Sequence, residues 1–319
     1  MTKIAFIGLL ATAFVAVGTS AHGQAFVSSN GNDANACTQA APCATFAHAV
    51  SVISDGGSIQ CLNSGQYANT TLTITKSVTI DCGVGNVGRM DLSGGGAIGI
   101  NINASSPANI VLRHLNINGV NTATNISGIV TTNLPGGQLV IEDSTIGGFT
   151  GSGSNGYGIL FTPNSGSPNG RATIFLENTE VAANNIGVSV APASGQIASA
   201  FFANVVIGGN TSDGLDLAGA GTIAGDMRQS VVASSGGNGI AASSTNGVFF
   251  TIEGSTIVAN LGIGIETNSS SADVNVGAST IGANGTGVKS LLGSLISFGD
   301  NHMSANGSNG NFTSTAGLQ

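Results

Sequence analysis

The sequence predicts an all-β solenoid, a parallel β-helix closed by a short N-terminal helix, and three observations predict it. One pattern recurs eight times between Ile110 and the C-terminus, at a spacing of about 25 residues. Apolar runs of three to five residues are bounded by Gly, Asn and Ser, and helical periodicity is absent after Ile53. Apolar residues are plentiful and periodic although charged residues make up only 7%, which excludes a disordered chain.

The repeat is built around an apolar anchor: Ile117, Ile146, Val181, Ile207, Val232, Ile257, Ile281 and Met303. Five residues before each stands another apolar residue, from Leu112 and Ile141 through Ile252 and Val276 to Phe298. A Gly-apolar pair follows, as in Gly187-Val188, Gly214-Leu215 and Gly264-Ile265, and only Gly310 departs, being followed by Asn311. Three short strands per repeat, each with alternate residues inward, describe one coil of a β-helix. In the repeat from Val248 to Ile265, the inward residues are Phe250 and Ile252, then Ile257, then Ile265. Three residues after the anchors stand Asn184, Asn210, Asn260, Asn284 and Asn306, with Ser235 in the remaining late coil. Stacked amides hydrogen-bond one another, so this column reads as an asparagine ladder, with an Asn-lined ligand row as the alternative.

Taken in order, residues 1–23 read as a secretory signal. Lys3 supplies the positive charge, Ile4 to Val17 the apolar stretch, and Ala21-His22-Gly23 the small-residue cleavage site. The stretch is short for a membrane span, and a retained anchor is the alternative. Cleavage leaves fifteen acidic against six basic residues, a net charge near −9, which argues against nucleic acid and anionic membranes as partners. Residues 24–56 read as an N-terminal cap, with a helix over 44–53 that sets Phe46, Val50 and Ile53 on one face and His48 off it. A solenoid end needs such a cover for its core and unpaired strand edge. Residues 57–319 read as the β-helix, about ten coils of it.

All four cysteines, Cys37, Cys43, Cys61 and Cys82, lie near the start of the exported chain. Their even number implies disulfides with three possible connectivities. Zinc is the rival, weakened by the lack of any CxxC pair and by His48 being the sole nearby imidazole.

Phe26-Val27-Ser28-Ser29-Asn30-Gly31-Asn32-Asp33, then Cys37, Ala41-Pro42-Cys43 and Thr45-Phe46-Ala47, resemble the start of exported bacterial right-handed β-helix repeat proteins of pectin-lyase-like fold. Gly57-Ser58-Ile59-Gln60-Cys61-Leu62 and Ile74 to Gly83 extend the resemblance, which covers essentially the whole exported chain. It implies fold, export and, with the general crossover preference, right-handedness. It implies no activity. On this fold the disulfides are expected as Cys37–Cys43 and Cys61–Cys82, the second pair lying at equivalent positions one short coil apart.

Folds of this kind host polysaccharide lyases and hydrolases, whose constellations leave only partial traces here. Asn210-Thr211-Ser212-Asp213-Gly214-Leu215-Asp216 resembles the Asn-Thr-Asp motif of polygalacturonases with a Ser inserted, but one coil later stands Ser234-Ser235 where paired aspartates belong. No Gly-His-Gly or Arg-Ile-Lys exists, and glycoside hydrolysis needs two carboxylates at a controlled distance. Asp213 and Asp216 therefore read as an ordinary polar turn. His114 and His302 read as isolated. Calcium would need clustered carboxylates, and no cofactor or metal is expected.

One outward column approaches clustering: Arg113, Glu142, Glu177, Ala203, Arg228 and Glu253, flanked by Phe175, Phe201 and Asp226. Arg113 is expected to pair with Glu142 and Arg228 with Glu253. With no Trp and only Tyr67 and Tyr157 in the chain, Phe175 and Phe201 form the one expected exposed aromatic pair. The insertions at 118–128 and 147–158 would wall a groove. The candidate ligand-binding residues are thus Arg113, Glu142, Phe175, Glu177, Phe201, Asp226, Arg228 and Glu253; a solvated face with ion pairs is the alternative. The functional expectation is an exported binding or structural protein, periplasmic, cell-surface or extracellular, that contacts polysaccharide or a protein partner. The alternatives are a polysaccharide lyase or glycoside hydrolase with unrecognised catalytic residues, and a phage-type or secreted adhesion module.

Overall fold

A computed structural model describes residues 23–93, 98–120, 127–151, 156–164 and 170–317. Of the signal segment only Gly23 is among them, and 121–126 and 152–155 within the two insertions lie outside.

Each repeat forms one coil of three parallel strands. In a representative coil these are Arg171–Glu177, Glu180–Ala182 and Ile186–Val190. The next coil supplies Ile197–Ala203, Val206–Gly208 and Leu215–Leu217 in direct register. The chain is a right-handed parallel β-helix of about nine turns, slightly fewer than the ten or so coils expected. The last coil is poorly covered, and its strands His302–Ser304 and Ser308–Gly310 are mostly exposed.

Inward residues stack in columns: Leu176, Phe202, Met227 and Ile252 on the first strand, then Val181, Ile207, Val232 and Ile257 on the second. Val188, Leu215, Ile240 and Ile265 complete the third, and all twelve are buried. Each such side chain contributes about 1.5–3 kcal/mol on burial. The Gly of the Gly-apolar pair has a steric cause. A Cβ on Gly239 would lie 2.6 Å from the Gly264 carbonyl oxygen and 2.7 Å from Nδ2 of Asn260.

Two tight corners flank the second strand. At the first, His114, Asp143, Asn178, Asn204 and Gln229 all adopt left-handed conformations with φ of 48–55°, which Asn, Asp and His tolerate better than most residues. Behind it runs a ladder that the sequence reading missed. The Oγ of Ser230, Ser255 and Ser279 accepts the N–H of the residue one coil earlier, at 3.0, 3.2 and 3.2 Å. The asparagine ladder occupies the second corner as expected.

At the N-terminus the helix spans Phe46–Val52, shorter than the expected 44–53. Asp33 explains the late start: its Oδ1 accepts the N–H groups of Ala44 and Thr45 at 2.8 and 2.9 Å. Thr45 then caps the helix, its hydroxyl accepting the His48 N–H at 3.1 Å. Ile53 ends it, extended and buried, with its carbonyl taking the Lys76 ammonium at 2.5 Å. Burial opposes ionisation of Asp33, but these hydrogen bonds outweigh it and hold the carboxyl below its usual range. Phe46 packs on the fully buried ring of Tyr67, centroids 5.1 Å apart. Strand Gln24–Val27 pairs with Gly57–Cys61, so the segment before the helix adds an edge to the sheet. Both expected disulfides are present, with Cα separations of 4.7 and 4.4 Å.

Candidate functional site

The first strand of each coil presents alternate positions to solvent, which lines up the expected charged column. Asp81, Arg113, Glu142, Glu177, Ala203, Arg228 and Glu253 are consecutive register partners. Asp81 belongs to this column although the sequence reading left it out; its coil is irregular and precedes the clean repeat.

Arg113 pairs with Glu142 across one coil step, as expected. The carboxylate hydrogen bond raises the already high pKa of the guanidinium. Arg228 does not pair with Glu253. Its guanidinium instead meets Asp226 Oδ2 at 2.8 Å, two residues away on the same strand. The alternation of a strand sets positions i and i+2 on one face, and that local partner wins over the one a coil away. Among the described residues no cation lies within ion-pair distance of Glu177 or Glu253.

Phe175 and Phe201 stack face to face, centroids 4.9 Å apart and planes 18° from parallel. Both rings are half-buried, and with Glu177, Asp226 and Arg228 they border a hollow of about 130 Å³. A larger hollow of about 390 Å³ adjoins it, lined by Arg228, Gln229, Glu253 and Gly254. Phe249, 51% exposed, also lies on the outward side of a first strand. The sequence reading overlooked it because the inward Phe250 beside it absorbed the aromatic signal.

His114 is not isolated. Its Nδ1 lies 2.8 Å from Asp81 Oδ1 and its Nε2 3.9 Å from Asp143 Oδ2. His114 and Asp143 share the lining of a third hollow, about 300 Å³, with Asn86 and Asn116. Three successive coils bring these groups together, and spacing in the sequence alone (33 and 29 residues) disguises the contact. His302 is exposed.

Asp213 and Asp216 do more than shape a turn. Asp213 Oδ1 accepts the Asn238 N–H at 2.6 Å, and Asn238 Nδ2 donates to Glu266 at 2.8 Å. Asp216, half-buried on the third strand, accepts the Ser189 hydroxyl at 3.1 Å. Burial, with Asp213 nearby, pushes its carboxyl up to about 6. Cys37, Cys43 and His48 bring ligand atoms within 4.8 Å of one another, but the two thiols are joined in a disulfide, which removes zinc binding there.

No family model matches the chain, and no curated protein matches it in sequence. Solved structures do. A pectate lyase, Pel9A, superposes with a TM-score of 0.64 over 94% of this chain and 80% of its own, at 16% identity. The A-module of mannuronan C-5 epimerase AlgE6 from Azotobacter vinelandii gives 0.56 over 80% and 70%, at 20% identity. The Dettilon tailspike protein gives 0.53 over 82% of this chain and 54% of its own, at 14% identity. At these identities what is shared is the fold: the chain is a parallel β-helix of pectin-lyase-like architecture.

Proposed function

We propose that this chain is an exported β-helix protein that binds polysaccharide along the outward side of its first strands. The observation that carries the reading is the stacked Phe175–Phe201 pair, bordered by Glu177, Asp226 and Arg228. The outward edges of the stacked pair, beside hydrogen-bonding carboxylates and a guanidinium, offer an apolar strip with a polar rim to the apolar face and hydroxyls of a sugar ring. The disulfides favour an oxidising compartment. The likeness to a pectate lyase and a mannuronan epimerase supports polysaccharide as the ligand class. A glycan array with the exported form tests it. Changing Phe175, Phe201 and Arg228 together to Ala should abolish capture while the circular-dichroism spectrum stays β-rich. Binding that survives the triple change would sink the assignment.

A second reading, polysaccharide cleavage, rests on Asp216. A carboxyl held at about 6 suits a general acid, and Glu266 lies two coils on, with Ala241 between them. Two coil rises amount to about 9.6 Å, near the separation at which inverting glycosidases hold their carboxyls. The expected outcome is no cleavage; reducing ends released from a polysaccharide and lost on Asp216→Asn or Glu266→Gln would establish it.

A further inference from the structure

Three hollows lie on one edge of the rod, where the first strand of each coil turns toward the second. The first is bordered by His114 and Asp143, the second by Phe175 and Phe201, the third by Gln229 and Glu253. The column from Asp81 to Glu253 links them in six register steps, about 29 Å at the strand spacing. A row of hollows spaced along the rod axis matches a ligand that repeats along its own length.

The charge of this edge is one-sided. Asp81, Glu142, Asp143, Glu177, Asp226 and Glu253 supply six carboxylates against the two guanidiniums of Arg113 and Arg228. Both guanidiniums are already committed, to Glu142 and Asp226. The whole chain carries −8, so no long-range attraction offsets the local repulsion of a polyanion. A carboxylate edge accepts hydrogen bonds readily, and sugar hydroxyls are donors.

We infer that the ligand is a neutral, linear polysaccharide lying lengthwise along this edge, packed against the outward edges of Phe175 and Phe201, with its hydroxyls donating to Glu177, Asp226 and Glu253. This rests on the polysaccharide-binding reading and narrows it. Polymers carrying uronic acids are excluded by charge, and the carboxylates serve as hydroxyl acceptors instead of catalytic groups. A cationic peptide would satisfy the charge and could set an ammonium against a ring, but an irregular peptide does not match the row of hollows; polylysine is therefore the competing probe.

The test is affinity electrophoresis and calorimetry of the exported chain against a neutral β-glucan, a neutral galactomannan, polygalacturonate and polylysine. Each is run at low and high salt, with chelator and with added calcium. At least one neutral polymer should retard the protein with little salt dependence, and its oligosaccharides should tighten with length until they span the edge. Phe175→Ala with Phe201→Ala should weaken this at least 10-fold with the β-rich spectrum intact. Glu177→Lys with Glu253→Lys should create polygalacturonate binding where there was none. Polygalacturonate bound by the unaltered chain as tightly as any neutral polymer, with or without calcium, overturns the neutrality and leaves the polysaccharide reading standing. Failure of every polysaccharide overturns both. Salt-sensitive capture of polylysine alone replaces them with a cationic partner. Neutral binding indifferent to the two Phe changes overturns the location.

Discussion

The asparagine ladder is complete in one half of the rod and broken in the other. From Asn260 onward each amide serves the next. Nδ2 of Asn260 donates to Asn284 Oδ1 at 2.9 Å, and Nδ2 of Asn284 to Asn306 Oδ1 at 3.1 Å. The same Oδ1 atoms accept the backbone N–H one coil earlier, at 3.0 and 2.9 Å. In the earlier half the Oδ1 atoms of Asn184 and Asn210 still accept a backbone N–H, from Phe149 at 3.2 Å and Asn184 at 3.0 Å, but their buried Nδ2 atoms have no partner, and neither has Ser235 Oγ. For Asn210 the cause is one substitution: Ser235 stands where the next Asn should be. A ladder is therefore a chain of mutual dependence, and one short side chain strands its neighbour.

The largest effect tests the space the ladder needs. Gly239→Ala thrusts a methyl group to within 2.6 Å of the Gly264 carbonyl oxygen and 2.7 Å of Asn260 Nδ2. With backbone on one side, little can give, and a loss of about 3 kcal/mol is expected. Gly208→Ala is the control, because its new Cβ meets only the Ala233 carbonyl oxygen at 3.4 Å. Urea midpoints that move equally for the two variants would contradict the steric account of the Gly-apolar pair.

Removing an intact rung should cost more than removing a broken one. Asn284 donates to Ile257 and Asn306 and accepts from Asn260, and its own side chain is buried. Asn284→Ala strands those partners and should lose about 2–3 kcal/mol. Asn210→Ala removes an amide whose Nδ2 is already stranded and should lose about 1 kcal/mol less. Equal losses in chemical denaturation would show that the amide–amide bonds add nothing.

These interior features explain what could be read from the sequence. Anchors, glycines and ladder amides are dictated by packing against a copy of themselves, so they recur, and recurrence is visible in one sequence. The outward face obeys no such rule. Phe175 and Phe201 were legible because alternation sets them outward on successive coils. The Arg228–Asp226 pair, the His114 contacts and the membership of Asp81 were not, since each depends on which of two reachable partners a long side chain takes or on a coil outside the clean repeat. The serine ladder was missed for another reason: Ser is common in the turns, and its column is interrupted by Leu115 and Val205.

The coil that carries the stranded Asn210 also carries Asp216, and pH separates the two defects. A folded-state value of about 6 against an ordinary 3.8 means the folded chain binds more protons than the unfolded chain between these values. Stability contributed by Asp216 therefore falls as pH rises through about 4 to 6, by an upper bound of about 3 kcal/mol. Asp216→Asn should raise the melting temperature at about pH 7.5 and leave it nearly unchanged at about pH 3.5. The stranded amide does not titrate and weakens the coil alike at both. An Asp216→Asn variant no more stable than its parent at neutral pH would show that the carboxyl ionises freely in the fold.

The smallest effect repairs the break. In the later coils the residue at this rung reaches back over a glycine, as Asn260 Nδ2 does over Gly239. The equivalent glycine for position 235 is Gly214, where a Cβ would lie 3.0 Å from Ser235 Oγ, so the space for a longer side chain is already kept. Ser235→Asn should set its new Oδ1 to accept from Asn210 Nδ2 and its new Nδ2 to donate to Asn260 Oδ1, in the manner of Asn284. Three buried atoms that now lack partners fall to one, Asn184 Nδ2. Against this stands the rotamer entropy of a longer side chain, so a net gain of about 1 kcal/mol is expected. Combined with Asn284→Ala, the gain should persist, since the two rungs are separated by Asn260; combined with Asn210→Ala, it should vanish. A gain indifferent to Asn210 would mean that the longer side chain of the Ser235→Asn variant stabilises by filling space, and the ladder would then be a packing motif in which hydrogen bonding is incidental.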